Sequence, residues 1–371
     1  MRPGRNRKVK NALAVFLLLA DACIAHETHQ QSCNASTKRP HPTAAATSNF
    51  DVNNASIDEL LGHAREHTRN DQILTAARYL RKALDRDTNL KLDNDLAHIL
   101  HLASRVEATI VDLSKPPDPS IWTLQGNSHH KDMKLLHYYK LDSFRRLTSR
   151  IEFLMDKALL TSMGAVLIET ELYNTWIPRW RIPSVGIRNV QKLGELGRTQ
   201  QILHVELDIP WRRELILVSN GAEEVEANGL LAIHLGSRNN ITEDSIQPFG
   251  KAIILPPETG IKRIDFEGCF VFQKCPKEHP LLHDAASPNT ASNSILVSFS
   301  MYADAKVPQL FPQWIVNFVL SVAIERIFTL LVSVARDVKA GKSPEHSTAM
   351  ATKRDCIYGW LDERTEVMLH R

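Results

Sequence analysis

A few groups of side chains in this 371-residue chain have the types and spacing to do chemistry. Glu169 and Glu171 stand two apart, so on a strand their carboxylates would share one face and could act as an acid–base pair; a solvated strand face explains the spacing as well. His63 and His67 stand four apart on a helical stretch, a spacing that can clamp a metal, but no third ligand is near and a solvated pair is the simpler account. Glu206 alternates with Val205 and Leu207 along a strand pattern, facing either a cavity or water. If it points inward, Arg213 or a water must meet it, since a buried unpaired carboxylate is costly.

Beyond these groups there is no Gly-x-Ser-x-Gly elbow, no Gly-rich phosphate loop, no His-Glu-x-x-His pair and no Cys-x-x-Cys repeat. No catalytic residue, metal or cofactor is therefore assigned, and a non-enzyme is expected.

The element that must organise the rest runs from Val307 to Lys339. Two prolines, Pro308 and Pro312, precede a long run without a helix breaker, which predicts one helix of several turns. Trp314, Ile315, Phe318, Val319, Val322, Phe328, Leu331 and Val332 leave it no clean polar face, so it is buried or lies in a bilayer. Glu325 and Arg326 interrupt it near its middle, which disfavours spanning. The better account presses one flank on a sheet and leaves another beside an apolar space.

The N-terminus reads differently. Arg2, Arg5, Arg7, Lys8 and Lys10 precede a short apolar run from Ala12 to Ala20 and the small-residue positions of Cys23-Ile24-Ala25, so Met1–Ala25 is expected to be a secretory signal peptide and the chain to enter the secretory pathway; a basic leader or a misassigned start codon would make it cytoplasmic. The leader's five basic residues less Asp21 account for +4 of the chain's +3, so the remainder carries about −1 and nothing favours nucleic acid as a partner. With Cys23 gone, Cys33, Cys269, Cys275 and Cys356 remain, too few for a disulfide scaffold. Cys269 and Cys275 are the expected local pair in an oxidising compartment.

Residues 26–53, rich in Ser, Thr, Pro, Asn and His, read as a disordered linker. Residues 54–114 read as a helical hairpin or bundle: a Ser56-x-x-Glu59 capping box, a helix over Ile73–Leu84, and a third over Asn94–Leu113. The stretch Ala76–Asp85 resembles the second helix of a tetratricopeptide repeat, which would make the region a site for a protein partner. Only one unit is visible, so a bundle docked on the main domain is the alternative. Lys115-Pro-Pro-Asp-Pro119 is a stiff hinge and the expected domain boundary. After it, strands are predicted over Lys134–Leu141, Ser149–Met155, Gln200–Ile209, Glu214–Val218, Gly229–Leu235, Lys251–Leu255, Ile261–Phe272 and Ile295–Met301, with a helix over Asp156–Val166. Strands, a helix, more strands and a long closing helix make an α+β domain over 120–341, followed by a C-terminal tail over 342–371.

Three stretches within Trp122–Gly341 resemble the START lipid-transfer family of the helix-grip superfamily, which also holds pollen-allergen-like and polyketide-cyclase-like proteins. They are Ala165–Pro178 with its Trp-x-Pro exit, Val205–Val218 with its Pro-Trp turn, and Asp304–Asn317 at the entry to the closing helix. The chain departs from the pattern at Pro210-Trp-Arg-Arg213, where the family keeps several residues between Pro-Trp and Arg. The resemblance implies a curved antiparallel sheet gripping the C-terminal helix around a tunnel for one sterol, phospholipid or similar lipid. It also implies a transient membrane surface as partner. By the same resemblance Glu206 and Arg213 would sit at the tunnel floor; Trp176, Phe311 and Trp314 are candidates for its mouth, where a ring covers apolar surface with its polar edge wet, or else core and hinge packing, and Phe318 is a further candidate ligand contact. The alternatives are a helix-grip enzyme on a small apolar substrate and an interaction scaffold.

Overall fold

The structure, a computed structural model, describes residues 52–130, 133–141, 147–181, 184–196, 198–209, 211–238, 261–283, 294–304 and 313–370. Within these, the side chains of 126–130, 141, 147, 180–181, 184–185, 196, 209 and 313–323 are outside the description. The expected leader Met1–Ala25, the linker as far as residue 51, the strand Lys251–Leu255 and Phe311 lie outside the described residues.

Three helices open the described chain: α1 (Ile57–Arg69), α2 (Ile73–Arg86) and α3 (Asn94–Leu113). The capping box forms as the sequence predicts, with Ser56 Oγ accepting from the Glu59 amide and the Glu59 carboxylate accepting from the Ser56 amide at 2.7 Å. Asp93 caps α3 through the Leu96 amide.

The strands are β1 (Thr123–His130), β2 (Met133–Leu141), β3 (Leu147–Asp156), β4 (Trp180–Arg181), β5 (Ser184–Leu196), β6 (Gln200–Ile209), β7 (Trp211–Glu224), β8 (Leu230–Ser237), β9 (Lys262–Arg263), β10 (Asp265–Lys274) and β11 (Ser294–Asp304). They form one sheet in the order β1-β2-β3-β11-β10-β8-β7-β6-β5-β4, antiparallel throughout that order, with β9 beside β7 in parallel. A 3₁₀ turn (Lys157–Leu159), α4 (Leu160–Ile168), a second 3₁₀ turn (Thr170–Leu172) and α5 (Tyr173–Trp176) link β3 to β4. The short α6 (Val225–Asn228) joins β7 to β8, and α7 (Pro280–His283) follows β10. The long α8 (Gln313–Lys339) closes the domain, giving a helix-grip α+β arrangement.

Residues opposite one another in register share a face of a sheet. Ile233, Phe270, Phe299 and Ile151 therefore lie on one face, the inner one, and α8 packs there: Phe328 meets the rings of Phe153, Phe270 and Phe299 at 5.3–6.1 Å, and Ile324, Leu331, Val332 and Ala335 complete a buried core. On the outer face Ala222, Leu230, Ala232, Cys269 and Val271 pack against Leu74, Leu80, Ile99 and Val106 of α2 and α3. Strands β8 and β10 are thus apolar on both faces.

Several expectations change. The hinge at 115–119 is a connection inside one compact unit, Asn54–Arg371, because Arg150 on β3 donates to the carbonyls of Asp112, Leu113 and Lys115 and fastens the end of α3 to the sheet. Residues 342–371 are not a tail. They form α9 (Pro344–Thr352), a π turn (Arg354–Tyr358) and α10 (Gly359–His370), whose Leu361, Met368 and Leu369 enter the inner-face core. Cys269 and Cys275 are both free, because β10 runs almost straight between them; six residues of extended strand span about 20 Å, far beyond disulfide reach. Strands β1 and β5 go unpredicted because their sequences, Thr-Leu-Gln-Gly-Asn-Ser-His-His and Ser-Val-Gly-Ile-Arg-Asn-Val-Gln-Lys-Leu-Gly-Glu-Leu, are mostly polar or glycine. His63 and His67 stack on Tyr79 at 5.5 and 5.1 Å, and no metal-type cluster occurs among the described residues. No described helix is long and apolar enough to cross a membrane.

Candidate functional site

On β5, β6 and β7 the inner face is a second apolar patch, distinct from the aromatic core. Val190, Leu203, Val205, Leu207, Leu215 and Leu217 cluster there with Ile264, and Leu235 and Phe266 join the patch to the core beneath α8. Alternation builds it, since Leu203, Val205 and Leu207 project to one side of β6 while His204, Glu206 and Asp208 project to the other. The patch is bordered by Tyr173 of α5, a helix in contact with α8.

Trp176 stands at this border. Its ring meets Tyr173 edge to face at 5.7 Å, and its indole N–H is buried with no hydrogen-bond partner among the described residues. Such a donor costs about 1–3 kcal/mol that an acceptor would relieve. The Tyr173 hydroxyl is satisfied by the Leu167 carbonyl at 2.7 Å, and burial pushes its pKa up.

The structure separates Glu206 from Arg213. Ile209 pairs with Trp211, two positions on in the chain, so Glu206 falls opposite Glu214 and Leu207 opposite Arg213. The carboxylate is therefore on the outer face and the arginine on the inner one. Glu206 is met instead by Arg212 at 2.8 Å, whose hydrogen bond holds its carboxyl below the usual range. Arg213 is buried beside Leu207, donates to the Arg212 carbonyl at 3.0 Å and lies 5.8 Å from the Trp211 ring centroid. The cause is the β6–β7 register, set where the sequence already departs from the family pattern. Trp314 and Phe318 lie in the first half of α8, and their side chains are outside the described residues.

Glu169 and Glu171 are also parted. They sit at a helix end and a 3₁₀ turn rather than on a strand, so their spacing no longer places them on one face. Glu169 is buried in a bidentate pair with Lys353 at 2.7 and 3.0 Å and accepts from the Tyr358 hydroxyl, whereas exposed Glu171 reaches Lys192 at 3.5 Å. The inner face also holds the buried polar pair His137 and Ser149 at 2.7 Å, where burial pushes the histidine down to about 4.

Sequence reading missed the outer-face ion pairs Arg150–Glu152, Arg263–Glu214 and Arg105–Glu267, at 2.5, 2.8 and 2.9 Å. A charged residue on an alternating strand looks like a solvated face, and nothing short of tertiary structure shows that a helix covers it.

No family model matches the chain, and no curated protein matches it. Among solved structures it is similar to human STARD10, at 12% identity and a TM-score of 0.43 over 74% of this chain and 89% of that one. It is also similar to a STAR-related lipid transfer protein fragment from Xanthomonas axonopodis, at 16% identity and a TM-score of 0.39 over 58% and 98%. The di-domain ARO/CYC StfQ of the steffimycin biosynthetic pathway follows at 9% identity and a TM-score of 0.27, over 59% and 88%. These likenesses concern architecture alone.

Proposed function

We propose that the chain binds a single lipid, its apolar part held between the β5–β7 inner face and the first half of α8. The observation that carries this reading is the apolar patch of Val190, Leu203, Val205, Leu207, Leu215 and Leu217, set beside the aromatic core and bordered by a buried indole N–H with no acceptor among the described residues. Burying a lipid chain there is favourable by roughly 0.8 kcal/mol per CH₂, and one or two polar groups, Trp176 and Arg213 among them, suffice to orient it. Delivery to a bilayer is consistent with Trp211, an exposed aromatic at the start of β7. Binding rather than catalysis is favoured because Glu169 is engaged by Lys353, Glu171 is exposed and Glu206 is on the opposite face of the sheet.

The test is uptake of fluorescent phospholipid and sterol by the purified protein, with mass spectrometry of lipid extracted from it. The double variant Val205→Trp/Leu215→Trp would fill the patch. One lipid per chain in the wild type, lost in a variant that retains its thermal transition, supports the proposal. Absence of any lipid in the wild type, or uptake indifferent to the two tryptophans, overturns it.

A further inference from the structure

On the outer face, away from the apolar patch, α3 carries His98, His101 and Arg105 at spacings of three and four, one stripe of a helix. The stripe meets the end of β8. Arg238 Nη2 lies 2.9 Å from both ring nitrogens of His98, and Arg105 Nε donates to Glu267 at 2.9 Å. His234 Nε2 meets the same Glu267 oxygen at 3.3 Å. Of these two permanent cations and three histidines, Arg105 and His234 take the Glu267 carboxylate, while Arg238 rests on His98. Arg238, half-buried, has no carboxylate partner among the described residues.

Two further features mark a place for a ligand rather than a solvated basic face. His234 is 2% exposed, yet its Nδ1 is buried without a hydrogen-bond partner among the described residues. Beside it the absence of a Cβ at Gly236 lets His234 and Arg105 close in: a Cβ there would press on His234 Cε1 at 3.2 Å and touch Arg105 Nη2 at 3.5 Å, so a side chain at 236 would displace both. The cluster is open to solvent on the side of exposed His101. Burial first, then the charges of Arg238, His101, Arg105 and His234, push His98 down to about 4, as expected where positive charge is in excess.

We propose that Arg238, Arg105, His98 and His234 form a binding site for a phosphate-type oxyanion, between α3 and the end of β8. An arginine fork suits two oxygens of a tetrahedral anion, and an imidazole carrying N–H on both nitrogens can donate to Glu267 through Nε2 and to the anion through Nδ1. The anion would balance the unneutralised guanidinium. Free phosphate and a phosphomonoester lipid headgroup share this chemistry.

Calorimetric titration of the full chain with inorganic phosphate, at constant ionic strength, tests the site. One saturable site per chain is expected, weakened at least tenfold by Arg238→Gln and by Gly236→Ala, and unchanged by Arg354→Gln, a basic residue of the C-terminal segment. Flotation with phosphatidic acid vesicles against phosphatidylcholine vesicles separates the sources. Phosphate binding without flotation assigns a free ligand, and both together assign a headgroup. Absence of saturable binding below about 10 mM phosphate, or Arg238→Gln binding as the wild type does, overturns the proposal.

Discussion

Asp71 gives a quantitative handle on how the outer helices are fastened to the sheet. It sits in the turn between α1 and α2 with φ +61°, a left-handed conformation that asparagine adopts as readily as aspartate. Its Oδ1 accepts from Thr199 Oγ1 at 2.9 Å and its carbonyl accepts from the Glu223 amide, while Oδ2 is buried without a hydrogen bond, 3.9 Å from Arg198. Burial outweighs Arg198 and raises its pKa from 3.8 to about 6. A pKa raised on folding means the native state prefers the protonated acid, so the folded chain carries no penalty below 3.8 and the full penalty above 6. Two pKa units correspond to roughly 3 kcal/mol at completion. Asp71→Asn is an isostere of the protonated acid and removes the titration. Its stability relative to wild type should therefore rise by about 2 kcal/mol between pH 4.5 and 7.5, nearly all of it below pH 6.5. Urea unfolding of both proteins in half-unit steps of pH measures this difference, and any constant offset from the substitution cancels. A difference that is flat with pH, or that falls as pH rises, would refute the burial of a strained carboxylate here.

His137 should behave with the opposite sign. Its pKa falls from 6.5 to about 4 on burial, so stability present above 6.5 is lost as the pH drops toward 4, by up to roughly 3 kcal/mol; His137→Asn, compared with wild type by urea unfolding at pH 7 and pH 4.5, should lose less over that interval. Lys353→Met should cost about 3–5 kcal/mol by leaving Glu169 buried with only the Tyr358 hydroxyl. Adding Glu169→Gln should restore part of the loss in the urea midpoint, and no restoration would deny the pair its role.

The elements that local rules govern were readable. Ser56-x-x-Glu59 announces α1, the breaker-free run after Pro312 announces α8, and β6 matches its expected bounds because Leu203, Val205 and Leu207 alternate with polar residues. The C-terminal segment carried a signal of its own, since Leu361, Thr365, Met368 and Leu369 stand at i, i+4, i+7 and i+8 on one helical face; what its sequence hides is the π turn at Arg354–Tyr358, which offsets that face from α9. The apolar patch was implicit in the alternation of β6 and β7. The separation of Glu206 from Arg213 was not, since it depends on the β6–β7 register, and a single residue decides which face a side chain takes. Buried ions such as Arg150 and Lys353 were invisible because their partners, the carbonyls after α3 and the end of α4, are brought to them only by the fold.

Strands β8 and β10 belong to two cores at once, with Phe270 and Phe272 facing α8 while Cys269 and Val271 face α3. A guest beneath the closing helix and an anion above the sheet would therefore be tenants of separate rooms sharing one wall, and either could be present without displacing the other. The wall is itself the channel of communication, because a backbone that yields to a bulkier occupant on one side must carry its alternate side chains toward or away from the other.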